Sequence, residues 1–297
     1  MDKRVVFAVA GSGKTTTIIN SLSPDKRSLI VTYTNGNYNN ILRRISEKFN
    51  GRWPESIHVM KYFTFLYKFC YKPFLSDEIK AKGICFEKNR RFDKKSNIAY
   101  YISEERYIYS NRLALLIEEK GYIKDVLQRL EEYFDEFIID EIQDIAGRDF
   151  SFLEKLMEAN INMLFVGDYY QHTYDTSNDG NKNKKLFDSF DHYESRFTRK
   201  GFISDKTSLA RSWRCSHGVC EFITDKLGIK ISSNKKPTEE GSDMVFVNDK
   251  NQIEEIMSDK NITKLHYNGS KECGMEHKNW GGSKRRGSLQ RHLCNTQ

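Results

Sequence analysis

The 297-residue chain carries 48 lysines and arginines against 41 acidic residues, a formal net charge of +7, and is 38% hydrophobic, 30% charged and 13% aromatic. That length suits about two domains and a core that needs no metal or disulfide staple. The aromatic share argues against disorder, no apolar run approaches the ~18 residues of a membrane helix, and the apolar start runs into a glycine turn rather than a secretory cleavage site. Membrane, collagen-like and small secreted classes are excluded. The six cysteines show no C-x-x-C pair and no zinc-type spacing with the seven histidines, which reads as reduced thiols in a cytoplasmic protein. The mild basic excess permits nucleic-acid binding without requiring it.

In chain order, the first predicted element is a strand. Residues 4–10, RVVFAVA, form an apolar, β-branched run, followed at once by Gly11-Ser12-Gly13-Lys14-Thr15-Thr16-Thr17 and then Ile18-Ile19 at helical spacing. The stretch from Ala8 to Thr15 fits the phosphate-loop pattern, with Ala8 in the first glycine slot. Backbone N–H groups of Ala10, Gly11, Ser12 and Gly13 can curl around a phosphate while the following helix points its positive end there. Lys14 would neutralise β and γ oxygens, Thr15 would place its hydroxyl on Mg²⁺, and Thr16 joins the same first turn. Strand, glycine turn and helix in immediate succession argue against a chance turn, and a nucleoside triphosphate with Mg²⁺ is expected.

Such a loop needs a carboxylate strand to hold the metal. Phe137-Ile138-Ile139-Asp140-Glu141-Ile142-Gln143-Asp144 is an apolar run ending in adjacent acids. Asp140 would hold the metal shell and Glu141 would orient or deprotonate the attacking water. A third apolar strand, Met163 to Val166, ends in Gly167-Asp168-Tyr169-Tyr170-Gln171. A glutamine carried past a strand end beside the metal can touch the γ-phosphate, which is the role expected of Gln171.

In combination, the phosphate loop, D-E-x-Q-D and V-G-D-x-x-Q resemble the UvrD/Rep-type superfamily 1 DNA helicases. Thr32-Tyr33-Thr34-Asn35, after the strand Ser28 to Val31, resembles the family's T-F-T-N segment. This implies single-stranded DNA against Thr32, Tyr33 and Asn35, with Tyr33 in the base-contacting position and Arg43 and Arg44 on the next helix. Leu209 to Cys215 resembles the family's L-x-x-N-Y-R-S, with Ser212 replacing the usual asparagine. The resemblance implies that Trp213 packs against adenine and that Arg214 reaches the γ-phosphate. Tyr174, after Gln171, and Lys284, in a late segment resembling S-[AK]-K-G, are further DNA contacts by the same resemblance.

The implied fold is α/β, a RecA-like P-loop NTPase with a parallel sheet, a helical insertion and a partial second RecA-like domain. The expected division is 1–205 for the ATPase domain, with the insertion at about 62–131, and 206–297 for the partial second domain with a basic tail. Within the insertion, Tyr62, Phe63, Phe65, Tyr67, Phe69, Tyr71 and Phe74 interleave with Lys61, Lys68 and Lys72. Bases could stack on such rings, and any single ring could equally pack a core. Residues 112–133 have helical spacing; 178–185 and 232–243 read as polar loops.

Four departures from the family pattern bear on function. The family usually has an adenine-reading glutamine segment some twenty residues before the phosphate loop, whereas here the phosphate-loop strand begins at residue 4, so selection of ATP over GTP is not expected from that segment. After Gln171 the second aromatic and the arginine of I-Y-x-F-R-G are missing, Arg285 replaces a glycine, and no closing T-R-A segment follows. The expectation is a truncated or frame-shifted relative, with a possible protein partner completing the second lobe. The activity expected from the resemblance is an ATP-dependent helicase or translocase on single-stranded or tailed duplex DNA. The alternative is a nucleic-acid-sensing ATPase switch or defence-type accessory subunit that does not unwind. A small-molecule P-loop kinase is disfavoured by Glu141, the G-D-x-x-Q strand and the Trp213-Arg214 pair.

Overall fold

The computed structural model describes residues 2–87, 93–172, 182–236, 247–266, 277–279 and 292–294. These divide into two compact units, the first comprising 1–213 with 230–234 and the second 214–229 with 235–297.

The first unit opens with β1 (Lys3–Phe7), α1 (Lys14–Ser21), β2 (Ser28–Thr32), α2 (Asn35–Lys48) and β3 (Ile57–Lys61). A helical run then passes through α3 (Tyr62–Thr64), a π-helical stretch (Phe65–Tyr71) and α4 (Lys72–Ile79). Two short strands, β4 (Gly83–Cys85) and β5 (Tyr107–Tyr109), pair with each other before α5 (Ser110–Glu119) and α6 (Ile123–Tyr133). The chain returns to the main sheet with β6 (Glu136–Asp140), α7 (Gly147–Leu156), β7 (Asn162–Gly167), α8 (Phe190–Thr198) and β8 (Ile203–Asp205). β9 (Arg211–Ser212) pairs with β10 (Ser232–Ser233), which closes the unit.

Six of these strands form one sheet in the order β3-β2-β6-β7-β1-β8, with every pairing parallel. A parallel sheet is stable when both faces are covered, and alternate residues here enter two different cores. Val5, Phe7, Leu29, Val31, Phe137, Ile139 and Phe165 pack into the larger cluster. Val6, Ile30, Ile138 and Val166 pack with Ile18 of α1 and Ile41 and Ile45 of α2 on the other face. Burying each such side chain contributes about 1.5–3 kcal/mol.

Local deviations from the sequence expectations have simple causes. β1 stops at Phe7 rather than residue 10, because Val9 already bonds sideways, its N–H donating to the Leu209 carbonyl at 3.0 Å. The helical spacing over 112–133 resolves into two helices, broken at Gly121, whose φ of +82° suits glycine. Of the insertion's rings, Tyr62, Phe65, Phe69 and Tyr71 are buried in the larger core and cannot meet a base. Phe63, Tyr67 and Phe74 are partly buried and pack against it, Tyr67 stacked on Tyr71 and Phe74 on Tyr122.

The second unit contains α9 (His217–Leu227), α10 (Lys250–Ser258) and a small parallel sheet ordered β12 (His277–Asn279), β11 (Thr263–His266), β13 (His292–Cys294). Ser216 caps α9 by accepting from the Val219 N–H, and Gly228 ends the helix in the left-handed conformation. Tyr174 and Lys284 lie outside the described residues. No helix among the described residues is long and apolar enough to cross a membrane.

Candidate nucleotide site and adjoining cleft

Three strand ends meet at the carboxyl edge of the sheet, where open parallel sheets bind ligands: β1 leads into the phosphate loop, β6 into Asp140 and Glu141, and β7 into Gly167 and Asp168. β7 lies between the other two. Gly13, at φ +98°, turns the chain into α1, and no side chain caps that helix. Its first N–H groups therefore keep their hydrogen-bonding capacity for an anion. The Ser12 hydroxyl is buried with no hydrogen-bond partner among the described residues. Thr15 is half-buried, and exposed Thr16 accepts from Arg44 Nη1 at 2.8 Å through its hydroxyl, which ties α1 to α2.

Lys14 Nζ lies 3.9 Å from Glu141 Oε2, both side chains largely covered. Asp140 is 2% exposed and its Oδ1 has no hydrogen-bond partner among the described residues. Burial, with Glu141 adding negative charge, pushes the Asp140 carboxyl up to about 7, against the pull of Lys14. A buried carboxylate oxygen without a hydrogen-bond partner is costly. The residues present fit Mg²⁺, a hard cation that is held by one or two carboxylates plus substrate phosphates rather than by a protein cage. Consistent with that donor set, no group of three or more His, Cys, Asp or Glu side chains among the described residues could hold a metal by itself.

Asp168 is likewise buried, and burial raises its carboxyl to about 6. It accepts from Gln171 Nε2 at 2.8 Å and from the Tyr170 N–H at 3.2 Å. Gln143, named in sequence only as part of a motif, joins the two strand ends. Its Nε2 donates to Glu141 Oε2 at 2.7 Å and its Oε1 accepts from the Asp168 N–H at 2.9 Å. Glu141 itself has a left-handed backbone, φ 58° and ψ 53°, a strained state for a side chain with a Cβ that proteins retain at functional sites.

The segment after β8 is fastened directly to the phosphate loop. Ser212 Oγ donates to the Ala10 carbonyl at 2.7 Å, and the Trp213 N–H to the Gly11 carbonyl at 2.9 Å. Trp213 is 66% exposed. Arg214 is exposed and belongs to the second unit.

A cleft of about 690 Å³ adjoins the end of β2. Tyr33, Asn35, Lys61, Phe63, Lys68 and Phe86 are among its lining residues, and none of its walls is acidic. Tyr33 sits 6.1 Å from Phe63, and Phe63 lies 5.1 Å from Phe86, which is 67% exposed. Lys61 Nζ donates to Asn35 Oδ1 at 3.1 Å. Thr32 is not on this surface: it is 1% exposed at the last position of β2, opposite Asp140. Phe86 was not singled out in the sequence, because no periodic or motif signal surrounds it.

An all-parallel sheet with a phosphate loop at the end of one strand and acids at the end of another defines a RecA-like P-loop NTPase fold. Residues 108–178 match the family model described as UvrD/REP helicase N-terminal domain. The chain resembles the UvrD/Rep-like superfamily 1 helicases, as its motifs imply. The structure of unliganded Pif1 from Bacteroides sp is similar over 89% of this chain and 49% of that one, at 14% identity and a TM-score of 0.40. The chain thus spans about half the length of that protein. No curated protein matches it.

Proposed function

We propose that this chain hydrolyses ATP between its phosphate loop and Glu141, and that hydrolysis drives movement on single-stranded or tailed duplex DNA. The observation that carries the reading is the convergence at one sheet edge of Lys14, Glu141 and a buried Asp140 oxygen that has no hydrogen-bond partner among the described residues.

In this reading the backbone of Ala10 to Gly13 holds the β-phosphate, and Lys14 draws negative charge from the β and γ oxygens. Thr15 and Asp140 would hold the magnesium ion, which supplies further neutralisation of the phosphate oxygens when bound. Glu141 orients the attacking water and takes its proton. Phosphoryl transfer is mostly positioning and electrostatics, so this set suffices. Gln171, now bonded to Asp168, would reach the γ-phosphate, Trp213 would stack on adenine, and Arg214 would supply a second cation. The DNA strand would lie in the cleft beside β2, its bases on Tyr33, Phe63 and Phe86 and its phosphates near Lys61 and Lys68.

The test is ATPase activity with and without single-stranded DNA, in wild type and Lys14→Ala. Stimulation by DNA that the variant lacks supports the reading, and hydrolysis indifferent to DNA overturns the coupling. Displacement of a tailed duplex then separates a helicase from a nucleic-acid-sensing switch.

A further inference from the structure

We infer that Gln143 is a positioning residue for hydrolysis, whose carboxamide fixes the Glu141 carboxylate and ties it to the loop that carries Gln171. The inference rests on the ATP-hydrolysis reading above. Gln143 is 2% exposed, in the single helical turn Ile142–Asp144 that follows β6. Its amide orientation is dictated by its neighbours. The Asp168 N–H can only donate, so Oε1 must face it; Nε2 is thereby aimed at Glu141. The Gln143 carbonyl is bonded in turn to His172 Nδ1 at 2.8 Å, just past Gln171.

Two further observations make this a built device rather than an incidental contact. Glu141 has an unusual left-handed backbone, so its carboxylate relies on side-chain partners for its direction, and Gln143 makes the short bond among them. Gly167 approaches closely on the other side. A Cβ at that position would lie 2.3 Å from Gln143 Oε1 and 2.6 Å from Ile142 Cγ2, so the glycine before Asp168 makes room for the amide. The bonds run in sequence from Glu141 to Gln143, to the Asp168 backbone and, through the Asp168 carboxylate, to Gln171. The group proposed to activate water and the group proposed to sense the γ-phosphate are therefore joined through one side chain. A displacement of a water-orienting carboxylate by about 1 Å is enough to cost ~10²-fold in rate.

Two substitutions separate positioning from simple anchoring. Gln143→Met removes both hydrogen bonds at nearly constant volume. Gln143→Glu keeps an acceptor for the Asp168 N–H but turns a carboxylate toward Glu141, losing the donor. If Gln143 positions Glu141, both variants lower kcat by about tenfold or more, while the dissociation constant for a non-hydrolysable ATP analogue moves less than about threefold. Should Gln143→Met fail to fold, Gln143→Glu alone carries the test, since the loop anchor survives in it. Wild-type kcat in either variant, or low kcat in Gln143→Met with full recovery in Gln143→Glu, overturns the inference. An inactive wild type overturns the ATPase reading and this inference together, whereas an active wild type beside unaffected variants overturns this inference alone.

Discussion

Lys14 Nζ and Glu141 Oε2 stand 3.9 Å apart across the ends of two strands separated in the sheet by a third. Neither residue gains this geometry from its own element. The lysine is delivered by the turn at Gly13 and the glutamate by its left-handed backbone, so each is poised toward the same few ångströms for a different reason. The two charges should then be separable by mutation. Glu141→Gln is expected to lose about 10²–10⁴-fold in ATP turnover with nucleotide binding retained, because only proton transfer is removed. Lys14→Ala should lose binding as well. Equilibrium binding of a fluorescent ATP analogue beside steady-state turnover reads both, and equal losses of binding in the two variants would contradict the division.

The buried acids make stability depend on pH in a definite direction. Asp140 and Asp168 are raised to about 7 and about 6 from an ordinary 3.8. Between the ordinary value and those raised values the folded protein binds more protons than the unfolded chain, so stability falls as pH rises from 4 toward 7. Asp140→Asn removes the buried charge and is expected to raise the melting temperature by several degrees at pH 8 and by little at pH 4. Thermal melts of both proteins across that range check it, and a larger gain at pH 4 would reverse the sign.

Trp213 offers a test of base recognition. Replacing the exposed ring with alanine should weaken ATP binding by about fivefold or more, the scale of one aromatic stacking contact. Ser212→Ala, which frees the Ala10 carbonyl, should cost stability of about 1 kcal/mol. Isothermal titration with ATP and chemical denaturation separate the two effects.

The cleft beside β2 predicts a ranking among aromatic substitutions. Phe63→Ala and Phe86→Ala should each weaken single-stranded DNA binding by about fivefold or more, without the unfolding expected from buried Phe65→Ala, which should cost about 3–5 kcal/mol. Lys61→Ala should weaken all sequences alike and lower the salt slope of binding by about 0.7. Fluorescence anisotropy with oligonucleotides at several salt concentrations measures these changes, and an unchanged affinity in both phenylalanine variants would remove the cleft as the DNA surface.

Much of this architecture was legible in the chain. The β-branched run before Gly11, the acids after Ile139 and the run ending at Gly167 each mark a strand whose end carries chemistry. They pair in one parallel sheet, and their alternate residues feed two cores. Other features were not legible, for physical reasons. Thr32 sits within a contact motif, yet the last residue of a central strand is covered by its neighbours, so the motif's accessible part begins at Tyr33. The alternating rings of 62–74 carry no label separating Phe65, in the core, from Phe63, on the cleft; only packing divides them. Gln143 is one of several polar letters in its motif, and its role arises from a partner 25 residues away in the chain.

The two hydrogen bonds from Ser212 and Trp213 to the carbonyls of Ala10 and Gly11 give the phosphate loop a second duty. The loop proposed to hold the nucleotide commits two of its backbone C=O groups to Ser212 and Trp213. One short stretch of backbone is thus shared between the proposed ligand and the outgoing chain. Any tilt of those peptide planes on phosphate binding or release must move both partners at once. Ser212 and Trp213 are held by carbonyls of the loop's backbone, which no substitution of a side chain in the loop removes.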